Sequence, residues 1–222
     1  MLVLGGPNTG KNTVCRILTN YSVKLGWETI FADLDPENPE LSPVGTIAAA
    51  SFSEYMKYDS NEINKLAYFL GKDTLTQASL ESYKIIVRQL LENVDRRLLA
   101  ERDYYVKDNT LPKLGQWKDE IQMRNLKNIF ASGCIINTPS FISEQDPADI
   151  KAFIQLVNPK VILYIENDRL KTVLKDMQGC VVIRLPKSGG VDSLMGDEQR
   201  RMRDRLREMK VESYFFDDKL IC

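Results

Sequence analysis

Phosphate chemistry is written into one stretch, Gly5-Gly6-Pro7-Asn8-Thr9-Gly10-Lys11-Asn12-Thr13. Glycines let a backbone curl so that successive N–H groups point inward around phosphate oxygens. The helix that starts there adds the positive end of its dipole. Lys11 follows the second glycine, where a lysine reaches the β- and γ-phosphates of a nucleotide. The next position ordinarily carries Ser or Thr, whose hydroxyl binds Mg²⁺. Here it is Asn12. An amide oxygen can ligate a metal, but it sits further out, and Thr13 cannot take over because one helical step turns a side chain by about 100°. Phosphate binding is therefore expected to survive and Mg²⁺ placement to suffer. The second chemical signal is the carboxylate pair Asp33 and Asp35 at the end of ETIFADLD. Spaced by two on a strand, both would point the same way, where an acid could hold metal-bound water or take a proton from an attacking hydroxyl.

The elements around these residues suit them. Met1–Leu4 reads as a strand, and Val14, Ile17, Leu18, Tyr21 and Leu25 recur at helix spacing with Gly26 as a stop. Glu28–Asp35 reads as a second strand, followed by a proline-rich loop from Pro36. Ile47–Phe52 reads as an extended segment, and residues 53–65 carry no clear pattern. Leu80, Tyr83, Val87, Leu90, Leu91, Val94 and Leu98 mark a long amphipathic helix over Thr76–Arg102. Residues 103–128 form a charged excursion in which Trp117 reads as a local packing anchor. Ser132–Thr138 is a buried strand ending in Asn137-Thr138, polar groups that could orient phosphate or water but could not serve as a base. Helix over 147–157, strand over 160–166, helix over 169–177 and strand over 180–185 complete a βα rhythm. The predicted fold is α/β, a P-loop NTPase with a mostly parallel sheet and helices on both faces. Pro186-Lys187-Ser188-Gly189-Gly190-Val191 then leads into a run of Arg200, Arg201, Arg203, Arg205, Arg207 and Lys210. A glycine hinge before arginines would suit a lid over phosphates; a solvated amphipathic helix would look the same.

The totals restrict the rest. At 222 residues the chain is read as a single domain, with a net charge of −1 that argues against a generally basic nucleic-acid binder. It contains no histidine, which removes histidine bases and histidine metal sites and leaves carboxylates as candidate bases. Cys15, Cys134, Cys180 and Cys222 are scattered without metal spacing and read as reduced thiols. No apolar run is long enough to span a bilayer, and Met1 opens no signal-peptide pattern, so no membrane partner is expected.

The ordered set GGPNTGKNTVCRILTNYSVKLG, ADLDPENPELSPVGT, SGCIINTPSF, LPKSGGV and the arginine helix running into Ser213-Tyr214-Phe215-Phe216 resembles a known family. It is similar to the central domain of the RNA 5′-hydroxyl kinases, most closely the pre-mRNA cleavage-factor branch. That branch supplies the ATP-binding subunit of the nuclear 3′-end cleavage and polyadenylation machinery. The resemblance implies ATP and Mg²⁺ as cofactors, other cleavage-factor subunits and RNA 5′ ends as partners, and a nuclear location. By the same resemblance, Gly5, Pro7, Asn8, Thr9, Gly10, Lys11, Asn12 and Thr13 would hold ATP. Asp35 would activate the RNA hydroxyl and, with Asp33 and Asn12, help hold the metal. Thr138 and Phe141 would clasp the RNA end, and Arg203 and Arg207 would act from the lid, with Arg207 serving the transfer beside Lys11 and Asp35.

The departures from the pattern are as informative. Asn12 replaces the metal-binding hydroxyl, Glu37-Asn38 replaces Gly-Gln, Ser140-Phe141 replaces Gly-Trp, and Glu212 stands near an expected lid arginine. Each touches metal, substrate clasp or transition-state charge, of which phosphoryl transfer largely consists. A nucleotide-dependent scaffold with a degenerate kinase site is the first expectation, and a working RNA 5′-hydroxyl kinase the alternative. A GTPase is disfavoured, since Glu166-Asn167-Asp168-Arg169 stands where an Asn-Lys-x-Asp guanine motif would be. Family members also carry a β-rich N-terminal domain that helps hold adenine and a small C-terminal domain. Neither is expected in this chain, and ATP binding should be weaker for lack of base contacts.

Overall fold

The computed structural model describes residues 1–56, 64–107, 129–175, 177–188 and 197–216. Its centre is a 7-stranded sheet. In chain order the elements are β1 (Leu2–Leu4), α1 (Lys11–Lys24), β2 (Thr29–Asp33), β3 (Thr46–Phe52), β4 (Lys65–Phe69), α2 (Leu80–Lys107), a single turn α3 (Ile129–Ser132), β5 (Cys134–Asn137), α4 (Ser140–Glu144), α5 (Pro147–Val157), β6 (Val161–Ile165), α6 (Asp168–Leu174), β7 (Val181–Leu185) and α7 (Asp197–Phe215). The strand order is β4-β3-β2-β5-β1-β6-β7. The five strands β2, β5, β1, β6 and β7 run parallel, and β3 and β4 add to the β2 edge antiparallel.

Alternation along the strands divides the core into two layers. Leu2, Leu4, Ile30, Ala32, Ile136, Ile162 and Tyr164 pack on one face with Tyr83 and Leu90 of α2, Phe153 of α5 and Leu170 of α6. Val3, Phe31, Ile135 and Leu163 pack on the other, with Cys15 of α1 and Leu41. Tyr83 and Phe153 stack with centroids 6.2 Å apart. The Tyr83 hydroxyl also donates to the Leu34 carbonyl at 2.8 Å, which fixes the chain as it leaves β2. Each such large side chain contributes roughly 1.5–3 kcal/mol by leaving water.

Several boundaries differ from the sequence reading. β2 stops at Asp33, so Asp35 lies in the following turn. The long helix is entered through a 3-10 turn at Gln77–Ser79, where Thr76 and Ser79 cap one another reciprocally, and it extends to Lys107. The turn α3 and the short α4 flank β5 inside a stretch whose periodicity was too brief to show either. Trp117 and the hinge residues Gly189 and Gly190 lie outside the described residues. Among the described residues no helix is long and apolar enough to cross a membrane.

Candidate functional site

The parallel strands converge on a pocket at their carboxyl ends, where open α/β sheets hold ligands. Its volume is ≈ 200 Å³, and Pro7, Asn8, Thr9, Gly10, Lys11, Asn12, Asp35, Glu37, Asn38 and Ser140 line it. That is below the about 300–1,000 Å³ of sites that swallow a whole drug-sized ligand, and suits a phosphate chain. A cavity of ≈ 580 Å³ between Lys151, Asn158, Lys160 and Cys180 lies at the opposite ends of β6 and β7, away from this chemistry.

β1 delivers the loop. Gly10 adopts φ 88°, a left-handed turn that glycine makes without strain, and α1 begins at once. The first N–H groups of a helix have no intrahelical partner. This one has no side-chain cap and no acid in its first turn, so its first N–H groups are left for a ligand in the pocket. Gly5 leaves no room for a side chain: a Cβ would meet Thr9 Oγ1 at 2.8 Å and Ile165 Cβ at 3.3 Å. Its N–H donates to Ser143 Oγ at 3.1 Å, tying the loop to α4. Thr9 Oγ1 and Lys11 Nζ both donate to the Gly6 carbonyl at 2.9 Å, so the ammonium lies folded across its own loop. Lys11 is buried, and burial lowers its pKa against the pull of Asp35. This is a cation stationed where it lacks a full set of partners, as an anion site requires. Thr13 is exposed on the first turn of α1 and does not line the pocket.

The two aspartates do different jobs. Asp33 accepts N–H groups from Asp35 and the Asn137 amide on Oδ1 and from Glu40 on Oδ2. It is fully buried, and burial together with the Asp35 charge pushes its pKa up to about 7, further than those donors pull it down. Asp35 reaches the pocket. Its Oδ1 accepts from Glu37 N and Asn38 N at 3.0 and 3.3 Å, and burial raises its pKa while Lys11 lowers it. The parallel pointing expected from a strand is thus lost, because β2 ends at Asp33 and the chain turns.

Asn12 is the most constrained side chain of the site. Its Oδ1 accepts from Asn137 Nδ2 at 3.0 Å, and its Nδ2 donates to the Asn38 carbonyl and Glu40 Oε1, both at 3.1 Å. β5 lies between β1 and β2, and Asn137 at its end bridges Asn12 to Asp33. Glu40 is held in turn by Arg16 of α1. The donor set does not fit a metal held by the protein. The Asn12 oxygen and both Asp33 oxygens are taken by N–H groups. Among the described residues no three acidic or thiol side chains stand close enough together to hold a metal ion. The backbone cradle, the uncapped helix and the buried lysine do fit nucleotide phosphates.

The remaining expected residues are placed as follows. Thr138 is buried, and its hydroxyl donates to the Val3 carbonyl at 2.7 Å, so it seals β5 to β1 instead of facing a ligand. Phe141 packs half-buried against the core, while Ser140 beside it lines the pocket. Arg203 lies in α7, and its side chain is outside the described residues. Arg207 does not reach the pocket. Its Nε donates to the Glu37 carbonyl at 3.1 Å, and its head faces the carboxylates of Asp73 at 3.6 Å, Asp204 at 3.9 Å and Glu37 at 4.0 Å. Lys210 donates to the Pro39 carbonyl from the same helix. Glu37, Glu40 and Ser143 are the site residues to which sequence reasoning gave no role; Asn137, read as able to orient phosphate or water, instead bridges Asn12 and Asp33. For the two glutamates, the signal was charge inside a proline-bounded loop directly after Asp35.

The sequence matches the family described as mRNA cleavage and polyadenylation factor CLP1 P-loop over residues 5–110 and 113–217. The chain belongs to this family. A CLP1 homolog of Anopheles gambiae is 28% identical over 228 residues, covering 99% of this chain and 46% of that protein. The mRNA cleavage and polyadenylation factor CLP1 of Laccaria bicolor is 27% identical, covering 97% of this chain and 44% of that protein. The chain therefore spans less than half the length of these CLP1 relatives. In fold it matches Clp1p from the solved wild-type Clp1p–Pcf11p complex, with a TM-score of 0.72 at 20% identity over 97% of this chain and 48% of that one. A second solved structure, with a TM-score of 0.69 at 19% identity, is described as an extended Pcf11p–Clp1p interface and the structural basis for ATP loss in a glycine-to-arginine point mutant. It covers 97% of this chain and 49% of that one.

Proposed function

We propose that this chain is the nucleotide-binding domain of a CLP1-type cleavage-factor subunit, holding ATP as a structural ligand and not turning it over. The observation that carries this reading is the engagement of Asn12 at both ends of its amide. The position that normally offers Mg²⁺ a hydroxyl is here part of the framework joining α1, β5 and the loop after Asp35. Lys11, the loop N–H groups and the α1 N-terminus would hold the phosphates, with Gly5, Pro7, Asn8, Thr9 and Gly10 shaping the cradle. The bound nucleotide would order the loop from Asp35 to Glu40, which then presents a fixed surface to other 3′-end processing subunits in the nucleus. The cleavage-factor relatives and the Clp1p–Pcf11p complex support that setting. On this reading the segment of residues 1–222 acts as one domain.

A working RNA 5′-hydroxyl kinase is the second reading, favoured by Asp35 and Lys11 lining the same pocket. In that case Asp35 would take the proton of an RNA 5′-hydroxyl. A bound Mg²⁺ would neutralise phosphate charge, but the Asn12 oxygen and both Asp33 oxygens are already engaged by N–H groups. The two readings differ in how ATP binding responds to metal. Calorimetric titration of ATP with Mg²⁺ and with a chelator is expected to give dissociation constants within about 3-fold of each other, under 1 kcal/mol. A loss of about 30-fold or more on chelation would show a protein-assisted metal site and favour the kinase.

A further inference from the structure

Glu37 touches both the phosphate pocket and the arginine helix. It lines the pocket with Lys11 and Asp35. On its other side it faces Arg207, whose Nε donates to its carbonyl at 3.1 Å and whose Nη2 is 4.0 Å from its Oε2. Both side chains are largely screened from solvent, 18% exposed for Arg207 and 19% for Glu37, so their charges are felt more strongly than at an open surface. Asp73 and Asp204 complete the set of carboxylates around the guanidinium. Among the described residues that line the pocket, Lys11 is the one cation, against the carboxylates of Asp35 and Glu37. That charge balance opposes a polyphosphate, and a further cation, Arg207, is tied to one of the residues that oppose it.

We infer that Glu37 is a positioning residue that withholds Arg207 from the phosphate pocket, setting the affinity and charge preference of the nucleotide site. This rests on the reading that the pocket binds ATP. With Glu37 charged, Arg207 stays on the outer side of the loop, and terminal phosphates meet a carboxylate. Without that charge, the guanidinium is one side chain away from the terminal phosphates. The ligand class most affected is the nucleoside triphosphate, because its terminal groups carry the charge that Arg207 would meet. A monophosphate depends mainly on the loop.

The test is a double-mutant cycle on the full 222-residue chain. ATP and AMP affinities are measured for the parent, Glu37→Gln, Arg207→Ala and the double variant. Glutamine keeps an oxygen for the Leu75 N–H that Glu37 Oε1 now accepts at 3.3 Å, so the loop retains that anchor. Glu37→Gln is expected to tighten ATP about 10-fold and AMP no more than about 2-fold. Arg207→Ala alone should leave ATP affinity within about 2-fold, and the double variant should lose the share of the gain that depends on Arg207. Asp73→Asn loosens Arg207 without touching the pocket and should tighten ATP about 2-fold, which covers the case of a misfolded Glu37 variant. Unchanged ATP affinity in Glu37→Gln overturns the inference, as does a gain that persists undiminished in the double variant, since only the share due to lost Glu37 repulsion should remain there. So does a large loss of ATP affinity in Arg207→Ala alone, which would mean that Arg207 already touches nucleotide. Failure of the parent to bind ATP would instead bring down the nucleotide reading and this inference together.

Discussion

Replacing Lys11 with alanine is expected to weaken ATP binding about 100-fold while leaving the domain folded, the loss of one or two charge-assisted hydrogen bonds. The two halves of that expectation have the same cause. In the free protein the ammonium is buried, burial lowers its pKa, and its one hydrogen bond is to the Gly6 carbonyl of its own loop. The fold holds this charge at a cost, so removing it takes little from stability. Phosphates would replace that single carbonyl with several anionic oxygens. Titration calorimetry reads the first half and a thermal melt the second. A variant that binds ATP as well as the parent would remove Lys11 from the site, and a collapse of the melt would make it a structural lysine.

Asp33→Ala should do the reverse, damaging the fold before the ligand. Asp33 gathers the N–H groups of Asp35, Glu40 and Asn137 in a fully buried position. Alanine would leave these donors without an acceptor, at about 1–3 kcal/mol for each that water cannot reach, and a net loss of about 4 kcal/mol is expected. The same residue makes stability depend on pH. Its pKa in the fold is raised from 3.8 to about 7, so the folded state binds the proton more tightly than the unfolded chain. Its contribution is complete below the unfolded value and is lost as pH rises through about 7. Asp35 is shifted in the same direction. Urea unfolding should therefore show the parent less stable at pH 8 than at pH 6 by about 1 kcal/mol, and the slope should flatten in Asp33→Ala. A parent more stable at pH 8 would mean that the N–H donors outweigh burial.

The features legible in the sequence were those with a local cause. Gly5, Gly10 and Lys11 announce the loop because the backbone turn and the lysine's reach are set within a few residues. The continuous apolar runs of β1 and β6 and the 3.6 period of α2 announce a sheet with covered faces. What stayed hidden depends on strand order. Asn137 reads as a polar strand end until β5 is seen to lie between β1 and β2, where its amide can reach both Asn12 and Asp33. Thr138 reads as a candidate clasp until its hydroxyl is seen to donate to the Val3 carbonyl. Asp33 and Asp35 share a spacing but not a direction, because a turn stabilised by Glu40 and Asn38, outside the strand pattern, begins between them. The arginine run was ambiguous between lid and solvated helix. For Arg207 the structure gives a third arrangement, a cation held by Glu37, Asp73 and Asp204.

The reading of Asn12 links these observations. A residue that departs from the phosphate-loop pattern has been built into the surrounding hydrogen bonds, with its oxygen on Asn137 and its nitrogen on Asn38 and Glu40. Restoring a hydroxyl there would also remove those bonds. Recovery of a metal site by a single substitution is thus expected to be partial at best.

The decisive measurement is the fate of labelled γ-phosphate when ATP, Mg²⁺ and a 5′-hydroxyl RNA are incubated with the parent, with Asn12→Ser, and with Lys11→Ala as the blank. The expected result is label that stays as protein-bound ATP in the parent, RNA labelling no greater than in the blank, and at most weak transfer in Asn12→Ser. RNA labelled by the parent well above the blank would contradict the proposal and make this domain a kinase that works with an asparagine at the metal position.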